Sequence, residues 1–140
     1  MFKLTVFVLL SMLLLGCGKM SAKMNSASDP FEPVFIISWN KFMKTGPADV
    51  GEVKLAKKVN NQWETIWLLR HETPGTYPKI REIKYGKANS GLIEIIPAQK
   101  LEEGNVYLFV VSVSEIASSV EFVIKNDNGK NGIHVLSESP

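Results

Sequence analysis

The sequence is poor in the residues that build disulfides, metal sites and strongly charged surfaces. Its 140 residues include one cysteine and two histidines. A single cysteine excludes an internal disulfide and any zinc site built from paired cysteines. The 16 Lys and Arg side chains nearly balance the 14 Asp and Glu side chains, leaving a net charge of +2. This excess is too small for the basic surface that binds nucleic-acid phosphates, so we expect no nucleic-acid partner.

A long hydrophobic run is also missing, but a short one lies near the N-terminus. Residues 4–15 are almost entirely apolar, follow Lys3 and precede Gly16 and Cys17. A membrane-spanning helix needs about 20 apolar residues, so this run is too short to remain as one. A positive start, a short apolar core and a small residue at the exit are typical of a secretory signal peptide. The alternative, a buried strand or helix of the domain, requires neither Lys3 at one end nor Gly16-Cys17 at the other.

The end of this segment, Leu14-Leu15-Gly16-Cys17, resembles the lipobox of bacterial lipoproteins. The resemblance implies a diacylglycerol on the Cys17 sulfur and cleavage between Gly16 and Cys17. Apart from this covalent lipid, we expect no cofactor. Two or three acyl chains anchor a protein stably, since each buried methylene contributes about 0.8 kcal/mol. Gly18, rather than aspartate, follows the cysteine. In a Gram-negative cell this implies the outer membrane, with the domain facing the periplasm.

The remaining chain divides into a linker and one domain. Residues 18–30 are small and polar, which is typical of a flexible linker. Such a linker spans roughly 20 Å as a random coil. We therefore predict a cleaved signal peptide at residues 1–16, a lipidated N-terminus and linker at residues 17–30, and a folded domain at residues 31–140.

Beyond residue 31, short runs of β-branched and aromatic residues are separated by turn residues. In one such turn, Asn60-Asn61 can supply the positive φ values that a two-residue hairpin requires. Two facing sheets bury both apolar faces, whereas a single sheet leaves one in water. The pattern predicts an all-β antiparallel sandwich of seven or eight strands. The predicted strands are 34–39, 52–59, 62–70, 80–85, 92–96, 106–114, 120–125 and 133–136.

Residues 101–107, Leu-Glu-Glu-Gly-Asn-Val-Tyr, are similar to the tyrosine corner of immunoglobulin-like and fibronectin type III domains. The resemblance implies that Leu101 fills the core, that Gly104 turns at the sheet edge and that the Tyr107 hydroxyl bonds to upstream backbone. It also implies an immunoglobulin-like sandwich, here without the inter-sheet disulfide of antibody domains.

Residues suited to catalysis or metal binding are few. His71 and Glu72 are adjacent, so on a strand they point to opposite faces, and His134 lies far along the chain. No serine lies in a nucleophile-elbow motif. Residues 126–132 (NDNGKNG) carry a lysine where a calcium loop needs a ligand and lack the closing glutamate, which favours a hairpin turn. We predict a non-catalytic protein without a metal site.

Aromatic and basic residues remain as candidates for partner contact. Alternation predicts that Trp63 and Trp67 share one strand face, with Trp67 in the core and Trp63 exposed beside polar neighbours. A group of lysines allows three interpretations: a solvent-exposed face, an edge strand that charges protect from pairing with another chain, or a patch that binds anionic lipid or polymer. These lysines are at positions 41, 44, 54, 57 and 58. The predicted partner contact combines Trp63 with the loop at residues 72–79. Its candidate residues are Trp63, His71, Glu72 and Tyr77.

The leading functional hypothesis is a lipid-anchored, non-catalytic envelope lipoprotein whose sandwich binds another envelope protein or polymer. One alternative is an accessory lipoprotein of a secretion system, or a periplasmic immunity or inhibitor protein. A small envelope hydrolase is a further alternative.

Overall fold

A computed structural model of the protein describes residues 18–41 and 44–139, so the predicted signal peptide and Cys17 lie outside the described residues. The described residues form twelve strands and no helix. The strands are β1 (Lys19–Asn25), β2 (Val34–Lys41), β3 (Lys44–Gly46), β4 (Ala48–Asp49), β5 (Glu52–Val59), β6 (Gln62–His71), β7 (Lys79–Ile80), β8 (Glu82–Lys84), β9 (Leu92–Ile96), β10 (Val106–Val113), β11 (Ile116–Asp127) and β12 (Lys130–Ser139).

The strands build two main antiparallel sheets. The larger has six strands in the order β12-β11-β10-β5-β6-β9. The smaller has four strands, in which β1 pairs with one side of β2 while β3 and β8 share the other. A short two-stranded ribbon joins β4 to β7. The all-β class and the antiparallel pairing are therefore confirmed, while the immunoglobulin-like connectivity stays a prediction.

Each predicted strand segment overlaps a strand of the structure, and residues 80–85 overlap both β7 and β8. The predicted count of seven or eight strands is too low, because the structure also contains three strands that the sequence did not indicate: β1, β3 and β4. The predicted β5–β6 hairpin is confirmed, because Asn60 and Asn61 adopt φ values of 49° and 65°. Residues 126–132 form the β11–β12 hairpin, whose turn at Asn128 and Gly129 also has positive φ.

Stacked aromatic side chains join the two sheets in the core. Phe35 of β2 stacks on Phe109 of β10, with ring centroids 3.7 Å apart and planes 5° from parallel. Phe122 of β11 contacts the same Phe35 ring at 5.9 Å. All three side chains are fully buried. Aromatic pairs add about 0.5–1.5 kcal/mol to the stabilisation from area burial, so this cluster holds the sheets face to face.

Residues 19–25, predicted as part of a flexible linker, instead form β1. All seven residues pair with β2, from Lys19 opposite Asn40 to Asn25 opposite Val34. Met20 and Ala22 are only 1% and 2% exposed, and they belong to the core. Their inward alternation has a period of two, but it is carried by methionine, alanine, serine and lysine rather than by strong strand formers. The domain therefore begins next to Gly18, and residues 26–33 form a loop between β1 and β2.

A pair of alanine substitutions in β1 tests this correction. Met20→Ala should lower the free energy of unfolding by about 2–5 kcal/mol, because it leaves a cavity in the core. Lys23→Ala, on the exposed side of the same strand, should change it by less than about 0.5 kcal/mol. Urea denaturation of the two variants measures both values. Equal and negligible effects would show that the segment is a linker after all.

Candidate functional site

The sandwich has two ends, and each residue of the predicted partner contact lies near one of them. The Trp39 end comprises the start of β1, the end of β2, the loop at residues 72–78 and the β10–β11 turn at residues 114–115. The Trp63 end comprises the β1–β2 loop at residues 26–33 and the turns at residues 60–61 and 128–129. The polypeptide enters the described structure at the Trp39 end, through Gly18.

The predicted partner contact is divided between these two ends. Trp63 lies near the start of β6, whereas His71 is its last residue. Eight residue steps at the usual strand rise separate them by about 26 Å. Glu72 and Tyr77 follow His71 in the 72–78 loop, so they lie at the Trp39 end. The four residues therefore form no single contact surface, because a strand nearly as long as the sandwich intervenes.

His71 has a structural environment at the Trp39 end. Its Nδ1 lies 3.0 Å from the carbonyl oxygen of Gly51, which only accepts, so the proton is on Nδ1. The imidazole also meets the Tyr77 ring edge-on at 5.1 Å. A Cβ on Gly51 would lie 3.2 Å from that tyrosine ring, so the glycine allows the loop to pack closely. The Glu72 amide donates to the carbonyl of Gly91, which fixes the next residue of the loop.

A β-bulge in β6 separates the two tryptophans that simple alternation placed on one face. Leu55 pairs with Trp67 and Ala56 pairs with Thr65, so Ile66 is an extra residue in the strand. Because of the extra residue, positions that alternation would place on one face of the sheet lie on opposite faces before and after the bulge. Trp67 is fully buried, whereas Trp63 lies on the outer face of the larger sheet with 42% of its surface exposed. The predicted shared face is therefore wrong, but the predicted exposure of Trp63 is confirmed.

Trp63 is accompanied by a cation. The Lys58 ammonium lies 5.5 Å from the centre of its ring, and the two residues are paired across β5 and β6. A cation over an indole face is worth about 0.5–1 kcal/mol at an exposed site. The pair forms a flat apolar surface with one positive charge, which is suited to contact with a protein or a polymer.

The other lysines of the predicted basic cluster do not gather around this pair. Lys41 and Lys44 lie at the Trp39 end, whereas Lys54 and Lys57 are distributed along β5. Several other charges at the surface are paired with opposite charges. Arg70 contacts Glu52 at 3.0 Å, and Lys79 contacts Asp49 at 3.1 Å. The larger sheet therefore carries separate cations rather than one basic patch.

The two histidines lie in different parts of the fold. His134 is on β12, where its Nε2 is 2.7 Å from a carboxylate oxygen of Asp127. His71 lies at the Trp39 end, bonded to Gly51. Among the described residues, no group of three or more His, Cys, Asp or Glu side chains is arranged to hold a metal ion. The exposed His134–Asp127 pair stabilises the β11–β12 hairpin where it approaches its turn.

A shallow depression of about 710 Å³ lies at the Trp63 end. It is bounded by residues 26–31 of the β1–β2 loop and by residues of the β11–β12 hairpin. Asp29, Asp127 and Lys130 give its rim both signs of charge. Polar loops around a shallow depression suit contact with another polar surface better than enclosure of a small apolar ligand.

Two further grooves flank Trp39 and Pro47 at the other end. One has a volume of about 340 Å³ and is also lined by Lys41 and residues 44–46. The other has a volume of about 300 Å³ and reaches Val113 and Ile116. Sequence reasoning missed this surface, because it is assembled from β2, the β3–β4 connection and the β10–β11 turn. The nearest signal was Trp39 followed closely by lysines, which by itself indicates no groove.

The proposed tyrosine-corner residues have structural roles. The Tyr107 hydroxyl accepts a hydrogen bond from the Glu102 amide at 2.7 Å and donates to the Glu102 carbonyl at 3.2 Å. Leu101 is 1% exposed, and Gly104 turns with a φ of 83°. A second buried phenol, Tyr85, donates to the carbonyl of Gln99, and burial raises the pKa of this tyrosine. Both hydroxyls hold the connection between β9 and β10 against the core.

Comparisons with protein-family models, curated proteins and solved structures found no match. Within residues 18–41 and 44–139, no helix is long and apolar enough to cross a membrane.

Removing one hydroxyl tests the role of Tyr107. Tyr107→Phe should lower the free energy of unfolding by about 1–3 kcal/mol, because the Glu102 amide loses its acceptor in a partly buried position. Tyr77→Phe is the matched control, since phenylalanine keeps the ring contact with His71. Urea denaturation should show a change below about 0.5 kcal/mol for this control. Equal stabilities of the two variants would contradict the proposed role.

Proposed function

We propose that this protein is a lipid-anchored, non-catalytic lipoprotein of the bacterial envelope, whose β-sandwich binds another envelope component. The observation that carries the proposal is the lipobox-like sequence Leu14-Leu15-Gly16-Cys17 at the end of a short apolar run. In this proposal Cys17 carries the acyl chains after cleavage behind Gly16. Because Gly18 rather than aspartate follows the cysteine, the resemblance supports an outer-membrane location in a Gram-negative cell, with the domain in the periplasm.

The position of the domain along the chain supports a cleaved segment. β1 begins at Lys19, so removal of residues 1–16 leaves every described strand intact. The lone cysteine stands immediately before the first described residue. Acylation also leaves no free thiol in an oxidising compartment, where an unpaired cysteine is a liability.

The Trp63 end is the proposed partner-binding end. An anchor at Cys17 holds the Trp39 end near the membrane, and β6 alone extends about 33 Å along its ten residues. The exposed Trp63, the neighbouring Lys58 and the mixed-charge depression then lie at the end farther from the bilayer. This orientation leaves them accessible to a partner, whereas His71, Glu72 and Tyr77 face the membrane side.

Lipidation is tested on the full-length chain produced in a Gram-negative host. Mass spectrometry should find a mature chain that starts at Cys17 and carries diacylglycerol, and labelled palmitate should be incorporated. Cys17→Ser should abolish both the label and the recovery in membranes, because no other cysteine can accept the lipid. Ser11→Ala, within the apolar run, should leave both unchanged. A chain with an intact, unmodified Cys17 would refute the anchor.

Partner binding is tested by recovery from detergent-solubilised envelopes. Trp63→Ala should reduce recovery of a reproducible partner, since truncating a tryptophan anchor typically costs about 2 kcal/mol or more, or roughly 30-fold in affinity. Ile116→Ala is the matched control, because Ile116 is equally exposed at 42% but lies at the Trp39 end. The amount of partner recovered with Ile116→Ala should stay near the amount recovered with the wild type. No reproducible partner, or an equal loss in both variants, would contradict the proposal.

A further inference from the structure

The first described residue packs directly on the Trp39 ring. A Cβ added to Gly18 would lie 2.2 Å from Trp39 Nε1 and 2.4 Å from the neighbouring ring carbon, so only glycine fits against the indole. The next residue, Lys19, is already paired with Asn40 of β2. The chain is thus fixed to the sandwich at the point where the proposed anchor begins.

This contact leaves no length of chain between the anchor and the domain. Consecutive Cα atoms are about 3.8 Å apart, so Cys17 lies one such step from a residue in contact with Trp39. The glycerol of a lipidated cysteine sits at the boundary of the headgroups and acyl chains, the depth at which interfacial amphipathic helices bury their apolar faces by about 5–10 Å. The Trp39 end must then lie at the same depth, because no linker lifts it away.

We propose that the Trp39 end of the sandwich is seated in the headgroup region of the membrane that carries Cys17, with the Trp39 indole at the interface. This inference rests on the lipidation proposed above. The occupant of the two grooves beside Trp39 is therefore lipid, rather than a protein or the uncleaved signal segment.

The chemistry of this end suits a lipid interface. Trp39 and Pro47 separate the two grooves, and Ile116 at the margin is 42% exposed. Tryptophan is enriched at membrane interfaces, because its ring is apolar while its N–H is polar. Lys19 and Lys44 are exposed at the same end, and lysine stems lie along apolar surface with the ammonium in the headgroups.

Charge is not the main source of this docking. Lys79, which borders one groove, is paired with Asp49 at 3.1 Å, so this part of the end carries no net charge. The position of the anchor and the apolar surface around Trp39 are sufficient to hold this end in the headgroup region. Uncharged phosphatidylcholine vesicles are therefore an adequate probe, and anionic lipid is not required.

Tryptophan fluorescence distinguishes the two ends of the molecule. The mature lipidated protein, which starts at Cys17, is reconstituted in phosphatidylcholine vesicles whose acyl chains are brominated near the glycerol. Trp63→Phe keeps Trp39, Trp39→Phe keeps Trp63, and both retain the fully buried Trp67 as a constant background. Bromolipid should quench the Trp63→Phe protein severalfold more than the Trp39→Phe protein.

A linker variant covers the case in which Trp39→Phe fails to fold. A Gly-Ser insertion of about ten residues between Cys17 and Gly18, in the Trp63→Phe background, keeps the lipid but spans about 17 Å. Quenching of Trp39 in this variant should fall towards the weak quenching expected for Trp63. Equal quenching in all the proteins, or stronger quenching of Trp63, overturns the inference while leaving the lipidation proposal intact. Mass spectrometry of the same samples showing no lipid on Cys17 overturns both.

Discussion

The stacking of Phe35 on Phe109 is the contact on which the rest of the molecule depends. Phe35 lies on β2, which pairs with every other strand of the smaller sheet, and Phe109 lies on β10 inside the larger one. A ring separation of 3.7 Å fixes the distance between the sheets. Once the sheets face each other, the connections between strands can lie only at the two ends. Those ends carry all the surfaces to which a function is proposed.

The two ends differ because the chain enters at one of them. At the Trp39 end, Gly18 lies against the indole and the first strand starts at once, so the proposed anchor at Cys17 would fix orientation as well as location. At the Trp63 end, the exposed tryptophan, its lysine neighbour and the loop-bounded depression are about one strand length away. The same arrangement of strands therefore places the proposed anchor at one end and the proposed partner surface at the other.

Local sequence was sufficient where a short range of residues decides the structure. Asn60-Asn61 indicated a tight hairpin, because asparagine tolerates the left-handed backbone that both residues adopt. Runs rich in β-branched residues indicated most strands, because their preference for extended backbone is also set by neighbouring residues in the chain. Local sequence was insufficient for β1, whose methionine and alanine reach the core only because β2 offers a complete pairing edge. It also failed at Ile66, where one extra residue moves Trp63 to the outer face.

By itself, the sequence determined the all-β class, the hairpin turns and the lipobox-like motif at residues 14–17. Each of these depends on composition or on residues close together in the chain. Only the tertiary structure decided which residues share an end. It separated Trp63 from His71 and Tyr77, since a continuous strand lies between them. It also brought Gly18, Trp39, Pro47 and Ile116 together, because strand pairing and sheet packing collect distant segments at one edge of the sandwich.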